Sequence, residues 1–192
     1  MEAIILAKGE KSKRLNLDKS FIEIGNKKII EIIIEKISQL FKKIHIVSIL
    51  PEKFIIYKNE KIDILKDVLK CGPIGGIYIG LKNSKSLYNF VFACDLPFIN
   101  VDFIRYMINI KKDYDVLVPV YNGNFEVLHS IYTKNILNTI ENLIKEKNFK
   151  VKEILKKVNV RYIEENQIKK ICKDENIFFN LNTEENLKQI LI

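Results

Sequence analysis

Ile4-Ile5-Leu6-Ala7-Lys8-Gly9-Glu10-Lys11-Ser12-Lys13-Arg14-Leu15-Asn16-Leu17-Asp18-Lys19 is an apolar run that breaks abruptly into a basic loop. Ala3 to Ala7 are continuously apolar, the pattern of a strand buried on both faces, and Gly9 lets the chain turn where a larger residue would be strained. Lys8, Lys11, Lys13, Arg14 and Lys19 outweigh Glu10 and Asp18. That local surplus of positive charge suits a triphosphate better than a neutral ligand. The same residues also suit a solvated basic loop in a lysine-rich chain, so the rest of the sequence has to arbitrate.

Working outward, strand-like and helix-like segments alternate, which predicts an α/β domain with a largely parallel sheet. Ile29, Ile30, Ile33, Ile34, Ile37, Leu40 and Phe41 fall at helical spacing, and Ile44 to Leu50 reads as a strand ended by Pro51. Ile62 to Leu65 is a short strand. Ile74 to Leu81 is a helix entered through Gly72-Pro73, Phe90 to Ala93 another strand, and Asp102 to Ile110 another helix. After Asp115 to Val120, Tyr121-Asn122-Gly123-Asn124 is a tight-turn signal that sends the chain back through Val127 to Tyr132, an antiparallel excursion near residues 115–132. Helices are expected around Lys134 to Lys145 and Val151 to Val158, then a strand at Val160 to Ile163. Phe178-Phe179-Asn180-Leu181-Asn182 reads as a last strand running into Thr183 as the N-cap of a closing helix. No composition shift marks a boundary, so residues 1–192 are expected to form a single domain.

The net charge of +8 raises the question of nucleic acid. The lysines are spread along the chain, however, and no aromatic-studded basic segment or nucleic-acid motif is present, so anionic small molecules are the better match. No apolar run reaches the roughly eighteen residues of a membrane span, and no secretory leader is visible, so a soluble cytoplasmic protein is expected. Cys71, Cys94 and Cys172 are widely spaced without a Cys-x-x-Cys pair and read as reduced thiols.

Asp95, in Ala93-Cys94-Asp95-Leu96-Pro97, stands at the carboxyl end of a strand, where ligands of open α/β sheets bind. A hard oxygen ligand there could hold Mg²⁺ against nucleotide phosphates; the competing reading is a turn or N-cap aspartate. Asp67 occupies the matching position one strand earlier, ahead of Gly72-Pro73-Ile74-Gly75-Gly76-Ile77-Tyr78-Ile79-Gly80. Gly76 and Gly80 bare one face of that helix, either for packing on the sheet or for a bound group. His45 and His129 have no nucleophile or acid at a recognisable spacing and read as structural. The usual P-loop, dinucleotide-binding and zinc-protease motifs are absent.

Taken in order, Leu6-Ala7-x-Gly9-x-x-Ser12-x-Arg14-x-x-x-Asp18-Lys19, Asp67 with Gly72-Pro73-Ile74-Gly75-Gly76, Cys94-Asp95-Leu96-Pro97-Phe98, and Phe179-Asn180-Leu181-Asn182-Thr183 resemble the MobA family of molybdenum cofactor guanylyltransferases. The resemblance implies a three-layer α/β/α, Rossmann-like nucleotidyltransferase domain. It implies GTP bound along Leu6, Ala7 and Gly9, with Arg14 and Lys19 on the phosphates, Asp67 on the nucleotide and Asp95 on Mg²⁺. The implied acceptor is the terminal phosphate of molybdopterin, with or without molybdenum, and Asn180 and Asn182 match the motif that could orient it. Molybdoenzymes or cofactor-delivery proteins are compatible partners.

This chain departs from the family pattern at three places: Lys8 stands where a glycine is usual, Leu15-Asn16 stands where a glycine usually follows an Arg-Met pair, and Ser48-Ile49-Leu50 offers no asparagine. Lys8 could occupy ligand space or point outward and add a phosphate contact. A CTP- or sugar-phosphate-using nucleotidyltransferase, and a non-catalytic nucleotide-binding homologue, therefore stand as alternatives.

Overall fold

The alternating segments resolve into three layers in the computed structural model, which describes residues 1–9, 18–172, 175–179 and 181. Along the chain come β1 (Glu2–Leu6), β2 (Glu23–Ile24), β3 (Lys27–Lys28), α1 (Ile29–Ile37), β4 (Ile44–Ser48), β5 (Ile62–Lys66), α2 (Pro73–Asn83), β6 (Tyr88–Ala93) and α3 (Val101–Asn109). They are followed by β7 (Val116–Tyr121), β8 (Asn124–Phe125), β9 (His129–Thr133), α4 (Leu137–Lys145), α5 (Lys152–Leu155), β10 (Val160–Ile163) and α6 (Glu165–Ile171), with 3-10 turns at Lys19–Phe21, Pro51–Tyr57, Lys134–Ile136 and Glu175–Phe178.

The main sheet runs β10-β7-β9-β6-β1-β4-β5. β1 lies parallel to both β4 and β6, β4 to β5, and β7 to β10. β9 is the antiparallel strand, wedged between β6 and β7. It is reached through a hairpin in which Asn122 and Gly123 both have positive φ, +49° and +71°, the backbone that a two-residue primed turn demands. The chain moves outward from β1 to β4 and β5, then crosses to the other side of β1 for β6. That reversal opens a crevice at the carboxyl ends of β1 and β6, where such sheets bind ligands.

Strand periodicity sorts the apolar side chains into two cores. Ala3, Ile5, Ile44, Ile46, Phe90, Phe92, Leu117 and Ile131 point to one face, where they meet Ile29, Ile33 and Ile37 of α1, Phe103 and Met107 of α3 and Ile168 of α6. The intervening Ile4, Val47, Val91, Val116, Val118 and Tyr132 point to the other, against Ile74, Ile77 and Leu81 of α2, Ile140 and Leu143 of α4 and Ile154 of α5. Each fully buried isoleucine contributes roughly 1.5–3 kcal/mol by leaving water. The glycines of α2 answer to this packing. A Cβ on Gly80 would come within 2.6 Å of Ile4 Cγ2, and one on Gly76 within 2.9 Å of Leu6 Cδ2, so the helix is bared to lie on β1.

Several sequence expectations need correcting. α1 stops at Ile37, where Ser38 caps it, so Leu40 and Phe41 lie beyond the helix although Phe41 still packs edge-on against Phe90 and Phe92 at 5.8 Å. The strand ending at Pro51 finishes at Ser48, and Pro51 begins a 3-10 turn instead. The helix expected over Val151 to Val158 shrinks to α5, and α6 forms where no element was expected. Phe178 closes a 3-10 turn rather than opening a strand, and Leu181 donates its N–H to the Asp95 carbonyl at 3.2 Å. Thr183 lies outside the described residues. No helix among the described residues is long and apolar enough to cross a membrane.

His45 and His129 both sit in the interior. His45 Nε2 meets Glu2 Oε2 at 2.8 Å, whereas His129 is fully buried among Phe90, Phe92, Phe103 and Phe178 with neither ring nitrogen hydrogen-bonded. Burial pushes its pKa down from 6.5 to about 3. The unfolded chain therefore takes up a proton through this window that the native state refuses, and stability drains away as pH falls from about 6.5 toward 3. Urea unfolding at pH 7, 6 and 5 should show His129→Phe gaining on the wild type by up to about 1.4 kcal/mol per pH unit below 6.5. Parallel pH dependence of the two proteins would remove His129 as the cause.

Candidate active site

The crevice is built first from backbone. Beyond β1 the Ala7 N–H continues the ladder to the Val47 carbonyl at 3.0 Å, and the chain then turns at Gly9 with φ +73°. A Cβ at Gly9 would stand 2.6 Å from Ser48 Oγ, 3.2 Å from Leu50 Cβ and 3.3 Å from the Phe54 ring. Both the backbone angle and the space therefore require glycine. Ser48 Oγ ties the turn down by donating to the Lys8 carbonyl at 3.3 Å while accepting from the Leu50 N–H at 3.1 Å. Lys8 is exposed and stands among the residues lining the crevice.

The chain returns at Asp18, whose Oδ1 accepts from the Ser20 N–H at 3.2 Å and caps the 3-10 turn carrying Lys19. Lys53, reaching over from the Pro51–Tyr57 turn, donates to the Gly9 carbonyl at 2.6 Å and to Asp18 Oδ2 at 3.4 Å. Lys19 Nζ rests on Asp95 Oδ2 at 3.0 Å, with the two side chains only 18% and 21% exposed. Asp95 lies in a turn just after β6.

Asp67 follows β5 and is 6% exposed. Its N–H donates to the Ser48 carbonyl at 2.7 Å, and its Oδ1 accepts from the N–H groups of Leu69 and Lys70 at 3.0 and 3.1 Å. That local turn holds Lys70 at φ +49° and leads through Gly72 into α2. Asp67 thus shapes the wall of the crevice with one carboxylate oxygen.

Leu6, Ala7, Lys8, Lys19, Asp67 and Asp95 come together around a cleft of about 590 Å³. Arg14, Asn180 and Asn182, also expected at the site, lie outside the described residues. Leu6, Val47, Pro73 and Gly76 give the lining apolar surface, and Lys8, Asp18, Lys19, Asp67, Lys70 and Asp95 give it charge. A volume in the usual ligand range with this polarity suits a molecule having a flat, weakly polar end and an anionic tail. Cys94 also lines it, but burial beside the Asp95 carboxylate pushes its thiol up to about 12, so it stays protonated and is not primed as a nucleophile. Among the described residues no group of three or more His, Cys, Asp or Glu side chains could enclose a metal by itself. A lone strand-end carboxylate such as Asp95 nevertheless fits Mg²⁺, which takes one or two carboxylates and completes its shell with phosphate oxygens and water.

Sequence reasoning overlooked Lys53, and saw Ser48 only as part of a segment lacking asparagine. Their placement at the carboxyl edge, beside the Gly9 turn, is the signal that identifies them. Because Gly9 is pinned on two counts, Gly9→Ala should lower the unfolding free energy in urea by about 1–3 kcal/mol. Unchanged stability would mean that the turn can relax away from Ser48.

Residues 3–163 match the MobA-like NTP transferase domain. A protein of Natranaerobius thermophilus named "probable molybdenum cofactor guanylyltransferase" is 39% identical over 98% of this chain and 94% of its own length. A "molybdenum cofactor guanylyltransferase" of Syntrophotalea carbinolica is 32% identical over 97% of this chain and 89% of its own. The crystal structure of molybdopterin-guanine dinucleotide biosynthesis protein A from Archaeoglobus fulgidus superimposes with a TM-score of 0.85 at 25% identity, covering 100% of this chain and 97% of that one.

Proposed function

The chain belongs to the MobA-like NTP transferase family, and on that premise we propose that it transfers GMP from GTP to the terminal phosphate of molybdopterin, releasing pyrophosphate. The observation that carries this reading is the pairing of Lys19 with Asp95 at 3.0 Å in a cleft that apolar residues also line. Base and ribose would lie along Leu6, Ala7 and Pro73, with the triphosphate over Gly9 and the charged residues.

In this reaction an oxygen of the acceptor phosphate forms a bond to the α-phosphorus of GTP. The bond from that phosphorus to the α,β-bridging oxygen breaks, and pyrophosphate leaves with its electron pair. The acceptor phosphate is already ionised near pH 7, so no residue has to remove a proton, which agrees with a protonated Cys94 and with both histidines buried elsewhere. The work left to the protein is alignment and charge stabilisation. Lys19 would exchange its hold on Asp95 for the phosphates, and Lys8 and Arg14 would add positive charge there. Asp95 would hold Mg²⁺, which when bound neutralises phosphate charge and polarises the phosphoryl oxygens. Asn180 and Asn182 would orient the acceptor. A donor drawn from the nucleotide pool agrees with a cytoplasmic location.

A screen of the four nucleoside triphosphates with Mg²⁺ tests the donor. GTP at about a hundred times its Kd should stabilise the protein by roughly 2.7 kcal/mol, a rise of several degrees in Tm. Stabilisation by CTP instead would overturn the guanine assignment. With GTP, Mg²⁺ and molybdopterin, Asp95→Asn should lower the rate of pyrophosphate release by at least about a hundredfold. Near-normal turnover in that variant would take Asp95 out of the metal site.

A further inference from the structure

We propose that Lys53 is a positioning residue for nucleotide binding, acting by joining the two strands of chain that border the phosphate end of the cleft. The inference rests on the nucleotidyltransferase reading. Lys53 touches the point where the chain leaves β1, the Gly9 carbonyl at 2.6 Å, and the point where it comes back, Asp18 Oδ2 at 3.4 Å. Among the described residues, Gly9 packs against the wall of Ser48, Leu50 and Phe54, and Asp18 is held by the turn it caps at Ser20. An ammonium bonded to both fixes their separation, and with it the start of the turn from which Lys19 reaches Asp95.

The second consequence is electrostatic. Asp18 lines the cleft with its side chain 11% exposed, so its carboxylate faces the region meant for a triphosphate. Like charges at such range repel strongly when water is scarce. Lys53, 3.4 Å from Asp18 Oδ2 and not among the residues lining the cleft, offsets that charge with its own side chain 40% exposed. Its role is therefore to make Asp18 tolerable beside phosphate while keeping the Gly9 turn in register. Lys19 and Lys8 carry the contacts to the ligand itself.

The experiment compares wild type, Lys53→Met, Lys53→Arg, Asp18→Asn and the double variant Lys53→Met/Asp18→Asn, using calorimetric binding of Mg-GTP, steady-state kinetics and amide hydrogen exchange of the ligand-free protein. Lys53→Met should weaken GTP binding and raise KM about tenfold while kcat changes less than about threefold, the pattern of lost binding rather than lost chemistry. Lys53→Arg should restore binding to within about threefold. Asp18→Asn keeps an oxygen for the Ser20 N–H and removes the charge, so adding it to Lys53→Met should recover most of the lost affinity. A Lys53 that bound phosphate directly would make Lys53→Met cost as much affinity in the Asp18→Asn background as in the wild type, and that result overturns the inference, as does unaltered GTP binding in Lys53→Met. Without ligand, Lys53→Met should speed exchange in peptides covering Gly9 and Ser20; unchanged exchange would equally overturn it. Failure of the wild type to bind any nucleoside triphosphate would strike the donor assignment alone, leaving the exchange measurement to decide on Lys53.

Discussion

The carboxyl edge of this sheet depends on a close contact at Gly9, where the backbone runs at φ +73° into a space that Ser48, Leu50 and Phe54 close to any side chain. β1 is an interior strand, buried between β4 and β6, and it has to shed its ladder partners within a residue or two of Ala7. A left-handed turn does this without unpairing buried amide groups, and Ser48 accepts the geometry by bonding the Lys8 carbonyl. The strand end, the turn and the following cleft form one mechanical unit. Ser48 links the two sides of the crevice, its Oγ bonding the Lys8 carbonyl and its own carbonyl accepting from the Asp67 N–H.

Charge completes what the backbone begins. Carboxylates and ammonium groups alternate around the polar end of the cleft: Lys53 on Asp18, and Lys19 on Asp95. The Lys19–Asp95 pair is partly buried and so worth more than a surface ion pair, whereas Lys53 is 40% exposed in its pair with Asp18. Such preorganisation serves a reaction in which the attacking group is already ionised and the main need is alignment. The apolar wall of Leu6, Val47 and Pro73 supplies orientation without charge.

Much of the architecture was legible locally. Ala3 to Ala7 announced a doubly buried strand, Asn122-Gly123 announced its hairpin, and Gly72-Pro73 announced the start of α2. These signals work because strand burial, primed turns and helix starts each impose a demand on particular residue types within a few positions. α6 was missed because its apolar residues, Ile168 and Ile171, are too few to give a periodic pattern in a short helix. The expected strand at Phe178 failed for a related reason: a short apolar run fits strand, turn or helix equally, and contacts with Phe103, Tyr121 and His129 decide it.

The sequence by itself determined the alternation of elements, the family and the residue types of the cleft, because these rest on local periodicity and on motifs with fixed spacing. Of the site residues it named, Leu6, Ala7, Lys8, Gly9, Lys19, Asp67 and Asp95 border the Gly9 turn or the cleft, while Arg14, Asn180 and Asn182 lie outside the described residues. Only the tertiary structure decided what those residues do with one another. That Asp67 spends an oxygen on the backbone of Leu69 and Lys70, that the glycines of α2 answer to Ile4 and Leu6, and that Lys53 spans Gly9 and Asp18 all depend on distances between segments remote in the chain. Hydrogen bonds and repulsive contacts change steeply over tenths of an ångström, and no spacing along a sequence records such distances.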